Sequence, residues 1–449
     1  MVHARAAGCA VVALAFGCAA GNGHDPRTTR PGNRVIMISI DGLMPEVYLE
    51  PDALGLQVPV LRALAKRGAY ARKVESVFPA VTYPAHTTMV TGVPPSIHRI
   101  ATNRAPDPLD RNKEGWRWYS EDIAVPTLWQ AVEAHHRRAA LVTWPVTVAA
   151  AVTFLIPEYW RAGTADDQKL VRGLSTPGLL DNVARADPTL WKSFVPPDVK
   201  DAAQFSIARY LVANERFDLM LVHAWELDDA QHAHGPHSVE ANRAIENADR
   251  LLGELLAAIE RTAERDRTYV VVVSDHGFAG YDHQIRPNVV FAERGLVALD
   301  ATGKPTAAKV AVSANGGVAY AYVLDPTARD EVAAALATLP DVVAILPKQG
   351  IAELGGDRDA DFALVAAPGY VFSEQRDPPV VVDTPGKGHH GWPPSQPAMA
   401  ASFIAIGPGV AARDLGVVRM VDIAPTLARW LDVPLPSAVG VPIELGPRR

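Results

Sequence analysis

Apolar runs alternate with amphipathic segments along most of this 449-residue chain. Some runs are almost continuously apolar, as expected for strands buried on both faces. These predicted strands are residues 34–40, 139–144, 217–225, 269–273 and 402–406. Apolar residues at helical spacing predict helices over residues 58–67, 84–90, 127–136, 239–261 and 420–431. The alternation predicts an α/β fold in which helices flank a mainly parallel sheet.

The pattern is less regular, and richer in Ala, Val and Gly, between residues 300 and 377. We interpret this stretch as a smaller region inserted into one large domain over residues 34–436. A flexible linker is expected over residues 21–33, and a C-terminal tail over residues 437–449.

Residues 1–20 combine a basic start, a short apolar run and small residues near the end, which is typical of a signal peptide. The run is too short to span a bilayer. We therefore expect an exported protein, periplasmic or secreted. Both cysteines, Cys9 and Cys18, lie in this segment, so the rest of the chain has no disulfide and no thiolate ligand. Residues 14–18 resemble a bacterial lipoprotein cleavage box, and lipid anchoring at Cys18 is the alternative to cleavage after Ala20.

The net charge of the chain limits the kinds of partner that it can bind. A net charge of −7 argues against binding to a nucleic-acid polymer, which requires a basic surface. It leaves a small phosphoester substrate open, because bound metal cations would reverse the local field.

Candidate metal ligands follow the apolar runs. Asp41 ends the first run, Asp275 and His276 follow the run at 269–273, and Asp228 and His232 stand four residues apart after the run at 217–225. Ligands gather outside the carboxyl ends of parallel strands. Carboxylates and imidazoles together suit a divalent ion. This mixture of ligands favours zinc, and manganese or iron would tolerate the same ligands.

Several alternatives stay open at this point. Asp41 read by itself is more typical of a turn residue. Glu226 and Asp229 compete with Asp228, and His389 competes with His390 for a ligand role in the Gly-rich loop. His234 and His237 are interpreted as surface residues.

Thr82 is a candidate nucleophile. If Pro84 lies in the first turn of a helix, the Thr82 hydroxyl is at the helix N-terminus, where an anion is favoured. The hydroxyl is inert at neutral pH unless a bound metal withdraws its proton. The alternative is a threonine that only caps the helix.

Together with Phe78-Pro79-x-x-Thr82-Tyr83-Pro84-x-His86, these residues resemble the nucleotide pyrophosphatase/phosphodiesterase group of the alkaline phosphatase superfamily. The resemblance covers about residues 34–430. It implies an alkaline-phosphatase-like three-layer sandwich and two divalent ions, with Zn²⁺ as the expected metal. Carried over, it assigns Asp41, Thr82, Asp275 and His276 to one ion, and Asp228, His232 and His390 to the other.

The resemblance also implies hydrolysis of phosphodiester or pyrophosphate bonds through a phosphothreonine on Thr82. Asn103, with the backbone N–H of residue 82 or 83, would stabilise the phosphoryl oxygens, and Tyr83 would flank a leaving group or a base. The aromatic residues at 116–119 and 159–160 are further leaving-group candidates, or ordinary packing residues. The sequence does not separate nucleotides from phospholipid head groups or glycerophosphodiesters.

One departure supports a rival. Arg99 stands where the group usually has glycine, and Arg104 follows Asn103, so a phosphomonoesterase is the main alternative. A non-catalytic metal-binding envelope protein is a weaker one. A sulfatase is excluded because Thr82 cannot become formylglycine and His86 occupies the position of the required arginine. A metal-dependent phosphoglycerate mutase would need a serine nucleophile.

Overall fold

The structure, a computed structural model, describes residues 32–112, 115–196 and 198–446. The strands are β1 (Arg34–Ile40), β2 (Ala69–Tyr70), β3 (Lys73–Glu75), β4 (Ala139–Val142), β5 (Phe154–Ile156), β6 (Leu219–Ala224), β7 (Thr268–Val273), β8 (Ala279–Ile285), β9 (Val297–Leu299), β10 (Pro305–Ala308), β11 (Val310–Asn315), β12 (Val318–Val323), β13 (Val342–Pro347), β14 (Phe362–Ala366), β15 (Gly369–Phe372), β16 (Val381–His389), β17 (Phe403–Ile406), β18 (Arg413–Asp414) and β19 (Val417–Arg419). The α-helices are α1 (Glu46–Leu49), α2 (Pro59–Arg67), α3 (Thr82–Thr91), α4 (Pro95–His98), α5 (Leu128–Ala134), α6 (Asp166–Leu174), α7 (Leu179–Ala186), α8 (Leu190–Ser193), α9 (Asp201–Asn214), α10 (Glu226–His234), α11 (Val239–Glu260), α12 (Pro287–Glu293), α13 (Arg329–Leu336), α14 (Lys348–Glu353) and α15 (Ile423–Leu431).

The central sheet has eight strands in the order β18-β2-β17-β7-β1-β6-β4-β5. The strands β7, β1, β6, β4 and β5 run parallel, whereas β17 pairs antiparallel with β7. β1 lies between β6 and β7, so these three strands end at the same edge of the sheet. That edge is where ligands are expected in a parallel sheet.

Helices cover both faces of this sheet. One apolar core packs β1 and β6 residues against α2, α9 and α11, and a second core packs the opposite face against α3, α5 and α15. Because side chains alternate between the faces of a strand, a strand covered on both sides must be apolar throughout. This explains the continuous apolar runs, and the predicted α/β sandwich is confirmed.

Each of the predicted strands contributes to the central sheet, and each predicted helix is present, with ends shifted by a few residues. The helices α6 to α9, between β5 and β6, were not predicted. They complete the core on one face, where α9 supplies Phe205, Ile207 and Leu211.

The region between β7 and β16 contains a separate four-stranded antiparallel sheet, in the order β11-β12-β14-β13. Its β11–β12 turn contacts the loop that follows β16. A Cβ atom added at Gly391 would lie 1.8 Å from the Asn315 carbonyl oxygen, and one at Gly317 would lie 2.1 Å from the Trp392 ring. The four-stranded sheet has a second contact, because Tyr320 in β12 packs edge-on against Phe78. The predicted limits of the insertion and the other domain limits stay predictions.

Among the described residues, no helix is both long enough and apolar enough to cross a bilayer. The predicted signal peptide, Cys18 and residues 21–31 of the predicted linker lie outside the described part of the chain.

Candidate active site and metal centre

The predicted ligands come from three adjacent parallel strands. Asp41 directly follows β1, Asp275 follows β7, and Asp228 lies in the first turn of α10, just after β6. The register of β1 with both neighbours brings these carboxylates to one edge of the sheet. His390 reaches the same place from the end of β16.

The first predicted set is brought together around one imidazole. His276 Nε2 lies 3.0 Å from Asp275 Oδ2, 3.5 Å from Asp41 Oδ1 and 3.5 Å from the Thr82 hydroxyl. All four residues are buried. Two carboxylates, an imidazole and a hydroxyl are a ligand set that zinc accepts.

The second predicted set is brought together around Asp228. His232 Nε2 lies 3.4 Å from Asp228 Oδ2, and His390 Nε2 lies 3.8 Å from Asp228 Oδ1. The i and i+4 spacing on α10 produces the first of these contacts, as predicted from the sequence.

The two sets are not cleanly separated. The His276 and His390 rings stack at 3.6 Å between centroids, so ligand atoms of Asp228, His276 and His390 also form one compact group. His232, His389 and His390 form another. The structure therefore provides one continuous cluster of ligands rather than two isolated sets.

Unpartnered polar atoms test whether a cation fits this cluster. Asp41 Oδ1, Asp228 Oδ1 and Asp275 Oδ2 are all buried and have no hydrogen-bond partner. Leaving a buried polar atom without a hydrogen-bond partner costs about 1–3 kcal/mol of folding free energy, and more when the atom is charged. One oxygen of each carboxylate is thus available for a cation, and the residues fit divalent metal ions.

The hydrogen bonds of the histidines determine which nitrogen is free. His232 Nδ1 lies 3.1 Å from the Gly388 carbonyl, and His390 Nδ1 lies 3.0 Å from the Ala80 carbonyl. A ring nitrogen that donates to a carbonyl carries the proton, so each Nε2 offers a lone pair toward Asp228. This is the usual arrangement of a metal-ligating histidine.

His389 has the opposite arrangement. Its Nδ1 accepts the backbone N–H of His390 at 2.9 Å. In the neutral ring Nε2 then carries the proton, and no lone pair is left for a metal. The geometry favours His390 over His389 as the ligand.

Of the two competing acids beside Asp228, one accepts a hydrogen bond from elsewhere in the chain and the other is exposed. Glu226 Oε2 accepts the Asp201 N–H at 2.9 Å, and Asp229 is exposed. His234 is exposed as well, and His237 Nε2 pairs with Glu46 at 3.1 Å. None of these four belongs to the compact ligand groups among the described residues.

The ionisation of the cluster reflects burial and mutual charge. Burial, with the negative charges of Asp275 and Asp228, raises the pKa of Asp41. Burial acts in the same direction on Asp275, but the charge of His276 outweighs it and lowers the pKa of Asp275. Burial and the charge of His276 lower the pKa of His390, which keeps its imidazole neutral and able to bind a metal.

Thr82 is the first residue of α3, and Val81 is its N-cap. The reading of Thr82 as a capping residue is therefore wrong, because no side-chain cap bond is made and its hydroxyl faces His276. The backbone of Thr82 is fixed by His86. His86 Nδ1 donates to the Thr82 carbonyl at 2.8 Å, and its Nε2 accepts from the Ser39 hydroxyl at 2.8 Å.

Asn103 lies next to this helix start. Its Oδ1 accepts the Tyr83 N–H at 2.9 Å, which leaves the side-chain NH₂ as the donor. The Tyr83 N–H is therefore engaged within the protein and does not face a phosphoryl oxygen in this structure.

A cavity of about 240 Å³ opens beside Thr82 and the cluster. Its remaining walls are largely aromatic and acidic. They are formed by Tyr83, Trp116, Glu158, Trp160, His223, Trp225 and Asp229. Arg99 and Arg104 do not line it. Arg99 pairs with Asp359, and the Arg104 guanidinium lies 5.0 Å from the centre of the Trp116 ring.

Sequence reasoning did not identify His223 and Glu158. His223 Nε2 lies 3.0 Å from Asp41 Oδ2, and Nδ1 lies 2.9 Å from Glu158 Oε2. A signal was present, because a histidine interrupts the apolar run of β6 one residue before its carboxyl end. Burial lowers the pKa of His223, but the hydrogen bond to Glu158 and its charge outweigh this, so the pKa is raised.

Comparison with known proteins agrees with this fold. Residues 35–393 match the family described as Type I phosphodiesterase / nucleotide pyrophosphatase. An uncharacterized pyrophosphatase/phosphodiesterase of Schizosaccharomyces pombe is 27% identical over 256 residues, 55% of this chain and 44% of that protein. Human ectonucleotide pyrophosphatase/phosphodiesterase family member 7 is 24% identical over 287 residues, 62% of this chain and 55% of that protein. The chain thus spans about half the length of these relatives.

Solved structures share the fold. Murine ectonucleotide pyrophosphatase/phosphodiesterase 5 superposes with a TM-score of 0.63 at 21% identity, covering 90% of this chain and 96% of that one. An inactive threonine-to-alanine variant of the murine protein, in complex with AMP, superposes with the same TM-score at 20% identity and the same coverage.

The fold is an α/β sandwich of the alkaline phosphatase type. The chain belongs to the Type I phosphodiesterase / nucleotide pyrophosphatase family, as the sequence resemblance predicted. The family is one of phosphodiesterases and pyrophosphatases, so the predicted enzyme class is confirmed at the level of the family.

Proposed function

We propose that this chain hydrolyses phosphodiester or pyrophosphate bonds of small molecules, with Thr82 as the nucleophile. The observation that carries the proposal is the position of the Thr82 hydroxyl. It lies at the start of α3, 3.5 Å from His276 Nε2, and Thr82 lines the cavity together with Asp41 and Asp228, which each keep an unpartnered carboxylate oxygen.

Two divalent ions, zinc by ligand type, would be held by the predicted residues: Asp41, Thr82, Asp275 and His276 for one, and Asp228, His232 and His390 for the other. Bound there, they supply positive charge that favours the ionised hydroxyl and offsets charge on the phosphoryl group.

The protein residues carry out the displacement. The Thr82 hydroxyl loses its proton to solvent, and its oxygen bonds to phosphorus as the bond between phosphorus and the leaving oxygen breaks; the leaving oxygen takes up a proton from solvent. Water then cleaves the phosphothreonine intermediate, which keeps the substrate's remaining ester group, and regenerates the hydroxyl. The Asn103 NH₂ is oriented by the bond between its Oδ1 and the Tyr83 N–H, and it donates to a phosphoryl oxygen. A preset donor of this kind stabilises charge that develops during the reaction.

The aromatic walls suit a flat leaving group. Trp116 and Trp160 lie edge-on to each other with ring centres 5.3 Å apart, beside Tyr83. Aromatic faces of this kind stack on a nucleobase. Together with the AMP complex of the similar murine protein, this supports a nucleotide as the substrate.

Paired turnover on bis(p-nitrophenyl) phosphate and p-nitrophenyl phosphate tests the proposal. We expect kcat/KM for the diester to exceed that for the monoester by roughly tenfold or more, with activity lost on metal removal and restored by zinc. The reason is that Arg99 pairs with Asp359, whereas the acidic side chains of Glu158 and Asp229 line the cavity and disfavour the second negative charge of a monoester. Preference for the monoester would move the assignment to a phosphatase. Turnover of neither ester with zinc bound would support the non-catalytic alternative.

The choice between adjacent histidines gives a second prediction. His390→Ala should lower turnover by at least about 100-fold and weaken zinc binding, because it removes a free Nε2 lone pair. His389→Asn is the matched control, since an amide oxygen can still accept the His390 N–H. It should retain most activity, measured as turnover and zinc content. Loss of zinc in the His389 variant alone would reverse the assignment.

We also propose that the protein is exported, by cleavage of the signal peptide or by lipid attachment at Cys18. The N-terminal sequence pattern supports this. Mass spectrometry of the N-terminus of the protein isolated from its host tests it, since a full-length N-terminus would contradict both routes.

A further inference from the structure

Four buried side chains connect the wall of the cavity to a proposed metal ligand. Tyr83 donates its hydroxyl to Glu158 Oε1 at 2.6 Å, Glu158 Oε2 lies 2.9 Å from His223 Nδ1, and His223 Nε2 lies 3.0 Å from Asp41 Oδ2. Each residue is at most 3% exposed. We call this connection the imidazole bridge.

His223 is the centre of the imidazole bridge because each of its ring nitrogens faces a carboxylate. The buried carboxylates of Glu158 and Asp41, one on each side of the ring, would repel each other if no group lay between them. The ring is further held by its contacts with His86 and Trp225, whose ring centres lie 4.4 Å and 5.2 Å away. His223 therefore has little freedom to leave this orientation.

The imidazole bridge determines which oxygen of Asp41 faces the cluster. Oδ2 is occupied by His223, whereas Oδ1 has no hydrogen-bond partner and lies 3.5 Å from His276 Nε2. Rotation of the carboxylate would break the bond to His223. Asp41 can thus offer one oxygen, in one direction, to an ion beside Thr82.

We propose that His223 is a positioning residue, which orients Asp41 for the metal ion beside Thr82, and that Glu158 holds His223 in place. The inference rests on the proposed function, because it requires two ions. Partners that orient a metal ligand typically change metal affinity by about 10- to 100-fold.

Zinc titration of the metal-stripped full chain, in competition with a chromophoric chelator, tests the proposal. His223→Phe keeps a ring of similar size and removes both nitrogens. We expect one zinc ion to bind about 10- to 100-fold more weakly, and the other as in the native chain. His98→Phe is the matched control. His98 is also fully buried, but its bonds are to Thr88 and the Ile100 N–H, and we expect both ions to bind normally.

Variants of Glu158 separate positioning from a general loss of structure. In the Glu158→Gln variant the amide can still form a hydrogen bond with Tyr83, and we therefore expect this variant to bind zinc more tightly than Glu158→Leu. Combining Glu158→Leu with His223→Phe should weaken zinc binding little beyond His223→Phe alone, because Glu158 acts through His223.

Unchanged affinity for both ions in His223→Phe would overturn the proposal, as would equal weakening of both. A native chain that takes up fewer than two ions would overturn the proposed function and the imidazole bridge with it. A native chain that binds two ions and cleaves no ester would overturn the proposed function alone, since selective weakening in His223→Phe would still support the imidazole bridge.

Discussion

Thr82→Ala is expected to lower kcat for the diester by on the order of 10⁴-fold or more, because it removes the atom that bonds to phosphorus. The fold should be unaffected, since the Thr82 side chain makes no helix-cap bond. Zinc content should stay close to that of the native protein, because the carboxylates and imidazoles of the cluster remain. Turnover and bound zinc measured on the same sample check both parts of the expectation.

Thr82→Ser is the matched variant, since it keeps a hydroxyl on the first residue of α3. It should retain turnover within about tenfold of the native chain, and acid quenching during turnover of the diester should trap on residue 82 a phosphoryl group that still carries the substrate's second ester substituent. Near-native activity of Thr82→Ala, with zinc bound, would show that another group attacks phosphorus.

Removal of divalent metal is expected to lower diester turnover by at least about 10³-fold, because the clustered carboxylates would then repel an anionic substrate. It should also lower the melting temperature. Asp41, Asp228 and Asp275 each keep a buried oxygen with no hydrogen-bond partner, so binding of cations to the folded state stabilises it.

Activity and melting temperature, recorded as zinc is added back, check this expectation together. Both should rise over the same range of zinc concentration. Magnesium is the control, since it prefers an all-oxygen octahedral shell and suits these imidazole ligands poorly. Full activity of the stripped protein would contradict a metal-dependent reaction.

The sheet and the ligand positions were accessible from the sequence for one physical reason. A parallel strand covered on both faces must be apolar, so the polar residue that ends it stands out. Asp41 and Asp275 are recognised in this way, and Asp228 with His232 by their spacing on a helix. The pairing of strands then follows from the fold class.

Contacts between side chains far apart in the chain could not be predicted in the same way. His223 and Glu158 meet across 65 residues, and neither lies in a motif. Likewise, β16 pairs with β8 across a stretch that read as irregular. The β11–β12 hairpin did carry a local signal, because Gly316-Gly317 between two β-rich runs is typical of a tight turn.

The contact of the β11–β12 turn with the loop after β16 limits how this chain can be shortened. The four-stranded sheet resembles a detachable module, yet it packs closely against the backbone beside His390 and, through Tyr320, against Phe78, four residues before Thr82. Even a methyl group at position 317 would collide with Trp392. Deleting the module would remove the packing of both segments at once, so we expect a chain trimmed to its central sheet to lose the arrangement of Thr82 and His390.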